Sequence, residues 1–239
     1  MKYLVSSIYY GLRDLVYSPN KSLVRKGYHI IENLLPDELC DKLLEDISVK
    51  INKGEISWKD EESSDYRIMG YNCQDKEILK NIDKLVESNF ERYIDSRKSF
   101  NFFRMANVVL PKKGNKGSGG GWHRDSLNRR QLKLMIYLAD VNDANGPFEY
   151  KKSSHRFYHK FRFNMFRQSV RFNELSSVLK PESDVLVGKK GTAIIFDSSG
   201  VHRGRPIMSG ERYALTYYTF AGAIPDHLQS LIDVLSNDE

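Results

Sequence analysis

Cysteine is scarce and long apolar runs are missing. Only Cys40 and Cys73 occur in 239 residues, without CxxC or other close metal-ligand spacing. A thiolate metal cluster and a disulfide-stapled scaffold are thereby excluded, and both thiols are expected to stay reduced. No run reaches the roughly 18 apolar residues needed to span a bilayer. The opening MKYLVSSIYYGLRDLVY is interrupted by Arg13 and Asp14, which argues against a secretory signal, so a cytoplasmic location is expected. Internal repeats and low-complexity tracts are also lacking, which removes solenoids and fibrous arrays.

What is present is ordinary globular material, with 40% hydrophobic and 12% aromatic residues. A chain of this length buries about 70% of its unfolded surface around one core. A single domain over residues 1–239 is therefore expected. The excess of 37 Lys and Arg over 31 Asp and Glu favours anionic partners only weakly, and a nucleic-acid partner is disfavoured on that ground. The oligomeric state is left open.

Helical signals lie in the first part of the chain. After a short strand over Gly27–Ile31, Asn33 to Ile51 carries Pro36 and acidic residues near its start and apolar residues at Leu39, Leu43, Leu44 and Ile47. A second helix is expected around Glu77 to Tyr93, with Ile78, Ile82, Leu85 and Phe90 on one face. Beyond residue 100 the pattern changes to strands, at Phe102–Leu110, Leu132–Val141, Thr192–Phe196 and Tyr213–Phe220. The glycine-rich PKKGNKGSGGG, residues 111–121, reads as a loop between them. The expected organisation is mainly β with flanking helices: an N-terminal helical flank over about 1–100 and a β-core over about 101–222, arranged as a jelly roll.

The chemistry concentrates at two places. Gly119-Gly120-Gly121-Trp122-His123-Arg124-Asp125 sets an imidazole and a carboxylate two residues apart, on one side of an extended chain. With 6 His and 31 acids, chance alone supplies roughly 0.8 such pairs, so the pair by itself is weak. A third ligand from elsewhere would complete a two-histidine, one-carboxylate triad, which leaves three adjacent positions open on Fe(II). His202 offers it, delivered by the apolar stretch Thr192–Phe196 and a glycine-containing turn. Ten residues later Arg212 opens a strand whose Ala214, Thr216 and Tyr218 share its face; its planar fork suits a carboxylate at a cavity wall. Asn107 and Lys133, on other expected strands near the cavity, are further candidates for holding the same carboxylate ligand.

The segments Gly-Tyr-His-Ile-Ile-Glu-Asn-Leu-Leu (27–35), Trp122-His123-Arg124-Asp125, Gly146 to His155, His202-Arg203-Gly204 and Gly210-Glu211-Arg212 together resemble the phytanoyl-CoA dioxygenase family of Fe(II)/2-oxoglutarate oxygenases, across most of the chain. The resemblance implies a double-stranded β-helix of the cupin-like kind. It also implies iron held by His123, Asp125 and His202, 2-oxoglutarate salt-bridged to Arg212, and oxidation of a substrate C–H bond by O2 with release of succinate and CO2. Because Asp125 is present, hydroxylation or a related oxidation is expected rather than halogenation, which in similar halogenases goes with a small residue at that position.

The long excursion Phe148–Lys190 alternates Phe157, Phe161, Phe163, Phe166 and Phe172 with basic residues. A lid or packed insertion over a substrate cavity is preferred there to a nucleic-acid surface. The expected substrate is accordingly a small polar metabolite or glycan, with its cationic surroundings pointing to an anionic one. Two alternatives stand beside it: a non-catalytic metal-binding jelly roll serving as sensor or scaffold, and a nucleic-acid demethylase suggested by the pI of 9.1. His29, His155, His159 and His227 are assigned to structural or surface positions. Arg203 and Arg205 are read as solvated more readily than as substrate contacts, and Trp122 as a packing residue near the site.

Overall fold

Strand β5 (Leu132–Tyr137) is buried at every position. That requires cover on both faces of its sheet, and two apolar clusters provide it. The computed structural model describes residues 21–60, 64–73, 75–91, 100–125, 131–156 and 182–233, with residues 5, 8, 9, 12 and 158 besides. Within these, β5 is the third strand of a seven-stranded sheet, hydrogen-bonded to β8 (Ala193–Asp197) on one side and β10 (Arg212–Ala221) on the other. Beyond β8 lies β1 (Tyr28–Ile31), and beyond β10 follow β4 (Phe100–Val109), β3 (Asp65–Met69) and β2 (Trp58–Asp60). A second sheet of three strands sets β6 (Phe148–Lys151) between β7 (Ser183–Leu186) and β9 (His202–Gly204). Every registered pairing is antiparallel.

Side chains alternate along β5 and β10. Leu134, Ile136, Leu215 and Tyr217 join the cluster that includes Leu43, Ile47, Leu79, Ile82 and Val86. Those last residues belong to α2 (Asp37–Asn52) and α3 (Lys76–Glu91), which cover the outer face of the large sheet. Met135, Tyr137 and Ala214 point the other way and meet Phe148, Tyr150 and Leu186 of the small sheet. Two antiparallel sheets packed face to face, with helices on one outer face, make the jelly roll expected from the sequence. The smaller helices α1 (Lys21–Lys26) and α4 (Asp226–Asp233) flank this core.

Several expected boundaries shift for identifiable reasons. Helix α2 begins at Asp37 rather than Asn33: Asn33 sits at φ 52°, outside helical geometry, and the Leu34 N–H is taken by the Gly191 carbonyl at 2.9 Å. Helix α3 begins where Asp75 caps it, its Oδ1 accepting the backbone N–H groups of Glu77 and Ile78. The strand hairpin β2–β3 was not foreseen in the region read as helical flank. Three strands from before residue 100 (β1, β2 and β3) are integral to the large sheet. No helix among the described residues is long and apolar enough to cross a membrane. Both cysteines are buried free thiols.

The covered outer face should carry much of the stability. Ile47, on the inner face of α2, is fully buried, so Ile47→Ala should cost about 2–5 kcal/mol. A urea unfolding midpoint lowered without a change in slope would show it.

Candidate active site

The candidate site forms where the glycine-rich loop meets β9. Gly119, Gly120 and Gly121 all adopt positive φ (84°, 70° and 96°), a path that favours glycine. A Cβ at Gly119 would also run into the His123 ring. This path brings His123 alongside His202, and the two exchange backbone hydrogen bonds: His123 N–H to His202 O at 2.9 Å and His202 N–H to His123 O at 2.8 Å. Two residues on, the Asp125 N–H donates to the Ser198 carbonyl at 3.0 Å. His123 and Asp125 are thus held against the distant His202 by main-chain bonds before any side-chain contact is counted.

The imidazoles are oriented as well as placed. His123 Nδ1 lies 2.8 Å from the Gly121 carbonyl and His202 Nδ1 lies 2.9 Å from the Gly200 carbonyl. A carbonyl only accepts, so each Nδ1 carries the proton and each Nε2 keeps its lone pair. Those lone pairs face Asp125: His202 Nε2 is 3.3 Å from Oδ2, and His123 Nε2 is 3.8 Å from Oδ1. One ligand atom from each of the three residues falls within 4.8 Å of the others. Two neutral imidazoles and one carboxylate converging in this way make a donor set suited to Fe(II), Mn(II), Co(II) or Ni(II).

Electrostatics keep that set ready for a cation. Burial, with His202 beside it, lowers the His123 pKa to about 3, so the ring is neutral at physiological pH. Withdrawal from solvent would raise the Asp125 carboxyl, but the Lys133 ammonium beside it outweighs that and holds the group ionised, well below the usual carboxylate range. Lys133 Nζ sits 3.0 Å from Asp125 Oδ2 and 3.6 Å from the centre of the Tyr218 ring.

The cavity runs from this triad to a second polar region, lined by Arg67, Asn107, Ser118, Arg212 and Thr216, with Met105, Met135, Phe148 and Phe196 supplying apolar wall. Arg212, 3% exposed, donates through Nη1 to the Gly146 carbonyl. Its Nε has no hydrogen-bond partner among the described residues. Burial lowers its pKa, and among the described residues no ion pair joins it to a carboxylate. A buried guanidinium in that condition fits an anionic ligand. Room for it comes from Gly204, where a Cβ would lie 2.9 Å from Arg212 Nη1.

Asp65 organises the wall beside it. This buried carboxylate accepts hydrogen bonds from Arg67 Nη2 and Nε, Asn107 Nδ2 at 3.0 Å and Ser118 Oγ at 2.7 Å. Burial alone would raise its pKa; Arg67 and these hydrogen bonds lower it instead. Of the sequence candidates, the structure therefore brings His123, Asp125, His202, Arg212, Asn107 and Lys133 to one cavity. Asn107 is engaged with Asp65 and Lys133 with Asp125.

Other candidates sit elsewhere. Arg203 and Arg205 grip the buried Glu149, with Arg203 Nη2 at 2.7 Å and Arg205 Nε at 3.2 Å, rather than facing the triad. Trp122 packs between Arg203 and Lys151, each within 5 Å of its ring centre (4.4 and 4.8 Å). His155 holds the Val24 carbonyl at 3.1 Å. The middle of the Phe148–Lys190 excursion, including Phe157, Phe161, Phe163, Phe166 and Phe172 and half of its lysines and arginines, lies outside the described residues. Asp65, Arg67 and Ser118 were missed. The alternation of Asp65, Arg67 and Met69 with Tyr66 and Ile68 was the available signal, and it is too short to stand out.

Comparison with known proteins places the architecture. The sequence model of the family "Phytanoyl-CoA dioxygenase (PhyH)" matches residues 23–214. No curated protein matches the sequence. Among solved structures, the chain is similar to the non-heme alpha-ketoglutarate-dependent carbocyclase SnoK from nogalamycin biosynthesis, with TM-score 0.64, 15% identity and 87% of each chain covered. It is similar also to a Pseudomonas putida prolyl-4-hydroxylase, with TM-score 0.56, 16% identity, and 82% of this chain and 94% of that one covered. A third is HygX from Streptomyces hygroscopicus, solved with nickel, 2-oxoglutarate and hygromycin B, with TM-score 0.52, 11% identity, and 82% and 84% covered.

The triad geometry predicts uptake of one divalent ion per chain, with Co(II) or Mn(II) standing in for Fe(II). Asp125→Ala and His202→Ala should each abolish it in a metal titration. Unchanged affinity in the double variant would remove the assignment.

Proposed function

Because the chain belongs to the phytanoyl-CoA dioxygenase family of Fe(II)/2-oxoglutarate-dependent oxygenases, we propose that His123, Asp125 and His202 hold its iron, that Arg212 anchors the far carboxylate of 2-oxoglutarate, and that the enzyme oxidises a C–H bond of a small polar, anionic metabolite or glycan. The carrying observation is the pairing, in one cavity, of an oriented two-histidine, one-carboxylate set with a buried guanidinium lacking a carboxylate partner. Iron and 2-oxoglutarate, when bound, supply activation of O2, with succinate and CO2 as the cosubstrate products.

The protein's own groups bind, orient and exclude water. The Nδ1 bonds to Gly121 and Gly200 fix both imidazoles in the ligand tautomer. Arg212 offers a two-pronged grip at the far end. Asn107 is committed to Asp65 in this structure and contributes by holding that carboxylate, which in turn fixes Arg67 and Ser118. Met105, Met135, Phe148 and Phe196 keep the space between the polar ends apolar.

The charge inventory favours an anionic substrate. Arg67, Lys133 and Arg212 line the cavity against the single carboxylate of Asp125, and Asp65 behind Arg67 offsets one more. A divalent ion and a dianionic 2-oxo acid cancel, leaving one uncompensated positive charge. A substrate with one negative group would neutralise it; a buried net charge is otherwise costly. Of the neighbours named above, SnoK belongs to nogalamycin biosynthesis and HygX was solved with hygromycin B bound.

Arg212→Ala should raise the 2-oxoglutarate requirement by roughly 30- to several-thousand-fold, equivalent to about 2–5 kcal/mol, while leaving metal affinity nearly intact. Binding of 2-oxoglutarate to the variant as to the parent would transfer the anchor to Arg67 or Lys133. Succinate release should be stimulated by acidic sugars, amino acids or nucleotides, and the stimulation should weaken with added salt. Stimulation only by neutral lipid-like compounds, indifferent to salt, would reject the anionic substrate and keep the oxygenase.

A further inference from the structure

Lys133 stands out among the inward-facing residues of β5. Its strand, Leu132-Lys133-Leu134-Met135-Ile136-Tyr137, is otherwise apolar or aromatic, and the side chain is 4% exposed. An interior position of this kind is normally apolar, because a buried ammonium costs free energy unless it is compensated. Its compensation is unusual: the carboxylate it pairs with, through Oδ2 at 3.0 Å, belongs to Asp125 of the candidate metal set. That oxygen also lies 3.3 Å from His202 Nε2, so ammonium and metal would share one small anion. The face of Tyr218 at 3.6 Å adds attraction for the ammonium and keeps it beside the triad. Arg67, paired with Asp65, is the next cation along the wall.

We propose that Lys133 couples the two loading events of this site: it opposes a bare divalent ion and favours that ion once a dianionic 2-oxo acid has arrived. The inference rests on the metal and 2-oxoglutarate reading given above. Its logic is charge balance. With the ion alone, two positive groups compete for Asp125, and Lys133 weakens uptake. With the dianion also present, the ammonium gains a second anion in the same cavity and no longer competes with the metal for Asp125 Oδ2. The same side chain thus changes from opponent to partner, and the effect must appear reciprocally in the affinities of both ligands. Lys133 is in this sense a positioning residue, acting on the reactants through Asp125 and through charge.

Equilibrium binding of Co(II), with and without 2-oxoglutarate and without any turnover, tests this in the parent chain, Lys133→Met and Lys133→Arg. Lys133→Met should bind Co(II) alone more tightly than the parent, and the enhancement that 2-oxoglutarate confers should shrink by roughly 5- to 150-fold, the usual range for coupled sites. Lys133→Arg, which keeps the charge, should stay close to the parent. Lys133→Gln serves as the neutral variant if Lys133→Met does not fold. Co(II) binding that is equal or weaker in the neutral variant would overturn the proposal, since Lys133 would then only brace Asp125. An unchanged 2-oxoglutarate enhancement would overturn it equally. A parent chain with no Co(II) uptake sensitive to His202→Ala would instead overturn the metal reading, and this inference with it.

Discussion

The pair of backbone hydrogen bonds between His123 and His202 is the constraint on which the candidate site depends. One residue ends a glycine-rich loop and the other begins β9 of the small sheet, 79 positions later. Their reciprocal N–H···O bonds at 2.8 and 2.9 Å fix the distance between two imidazoles more rigidly than side-chain packing alone would. The Nδ1 contacts to Gly121 and Gly200 add the rotation. Two backbone bonds and two side-chain bonds therefore determine where the four ring nitrogens lie. A metal-binding geometry follows with little left to adjust, which is the preorganisation a rigid site requires.

Two glycines near this clasp, Gly119 and Gly204, provide clearance. At Gly119 a side chain would occupy the space of the His123 ring, and at Gly204 it would crowd both Ser118 and the Arg212 guanidinium. The cost of glycine in chain entropy is thus borne where the site needs room. Asp65 plays the complementary part from the opposite wall. It holds Arg67, Asn107 and Ser118 at once, so three polar groups that would otherwise need separate partners inside the protein are satisfied by one buried carboxylate.

Legibility in the sequence followed the range of the interactions involved. Helices α2 and α3 were readable because their apolar positions recur every three or four residues and pack on one face. Strands β4, β5, β8 and β10 were readable from β-branched and aromatic residues bounded by turn formers. The β2–β3 hairpin was not, because its strands are three and five residues long and acquire strand geometry by pairing, β3 with β4 and β2 with β3. The basic pair Arg203 and Arg205 was ambiguous in the sequence, since nothing local showed that both would close on Glu149 from the neighbouring strand.

By itself the sequence determined the chemical inventory: a glycine-led His123-x-Asp125, a His202 delivered by an apolar strand, and Arg212 at the head of another. Composition and order suffice for that, because the donor types and the strands carrying them are local properties. Only the tertiary structure decided the state of those groups. It set which imidazole nitrogen carries the proton, left Arg212 without a carboxylate while giving one to Arg67, and placed Lys133 on Asp125. Protonation, pairing and burial depend on atoms brought together from β3, β5, β9, β10 and the glycine loop, and no window of sequence contains them all.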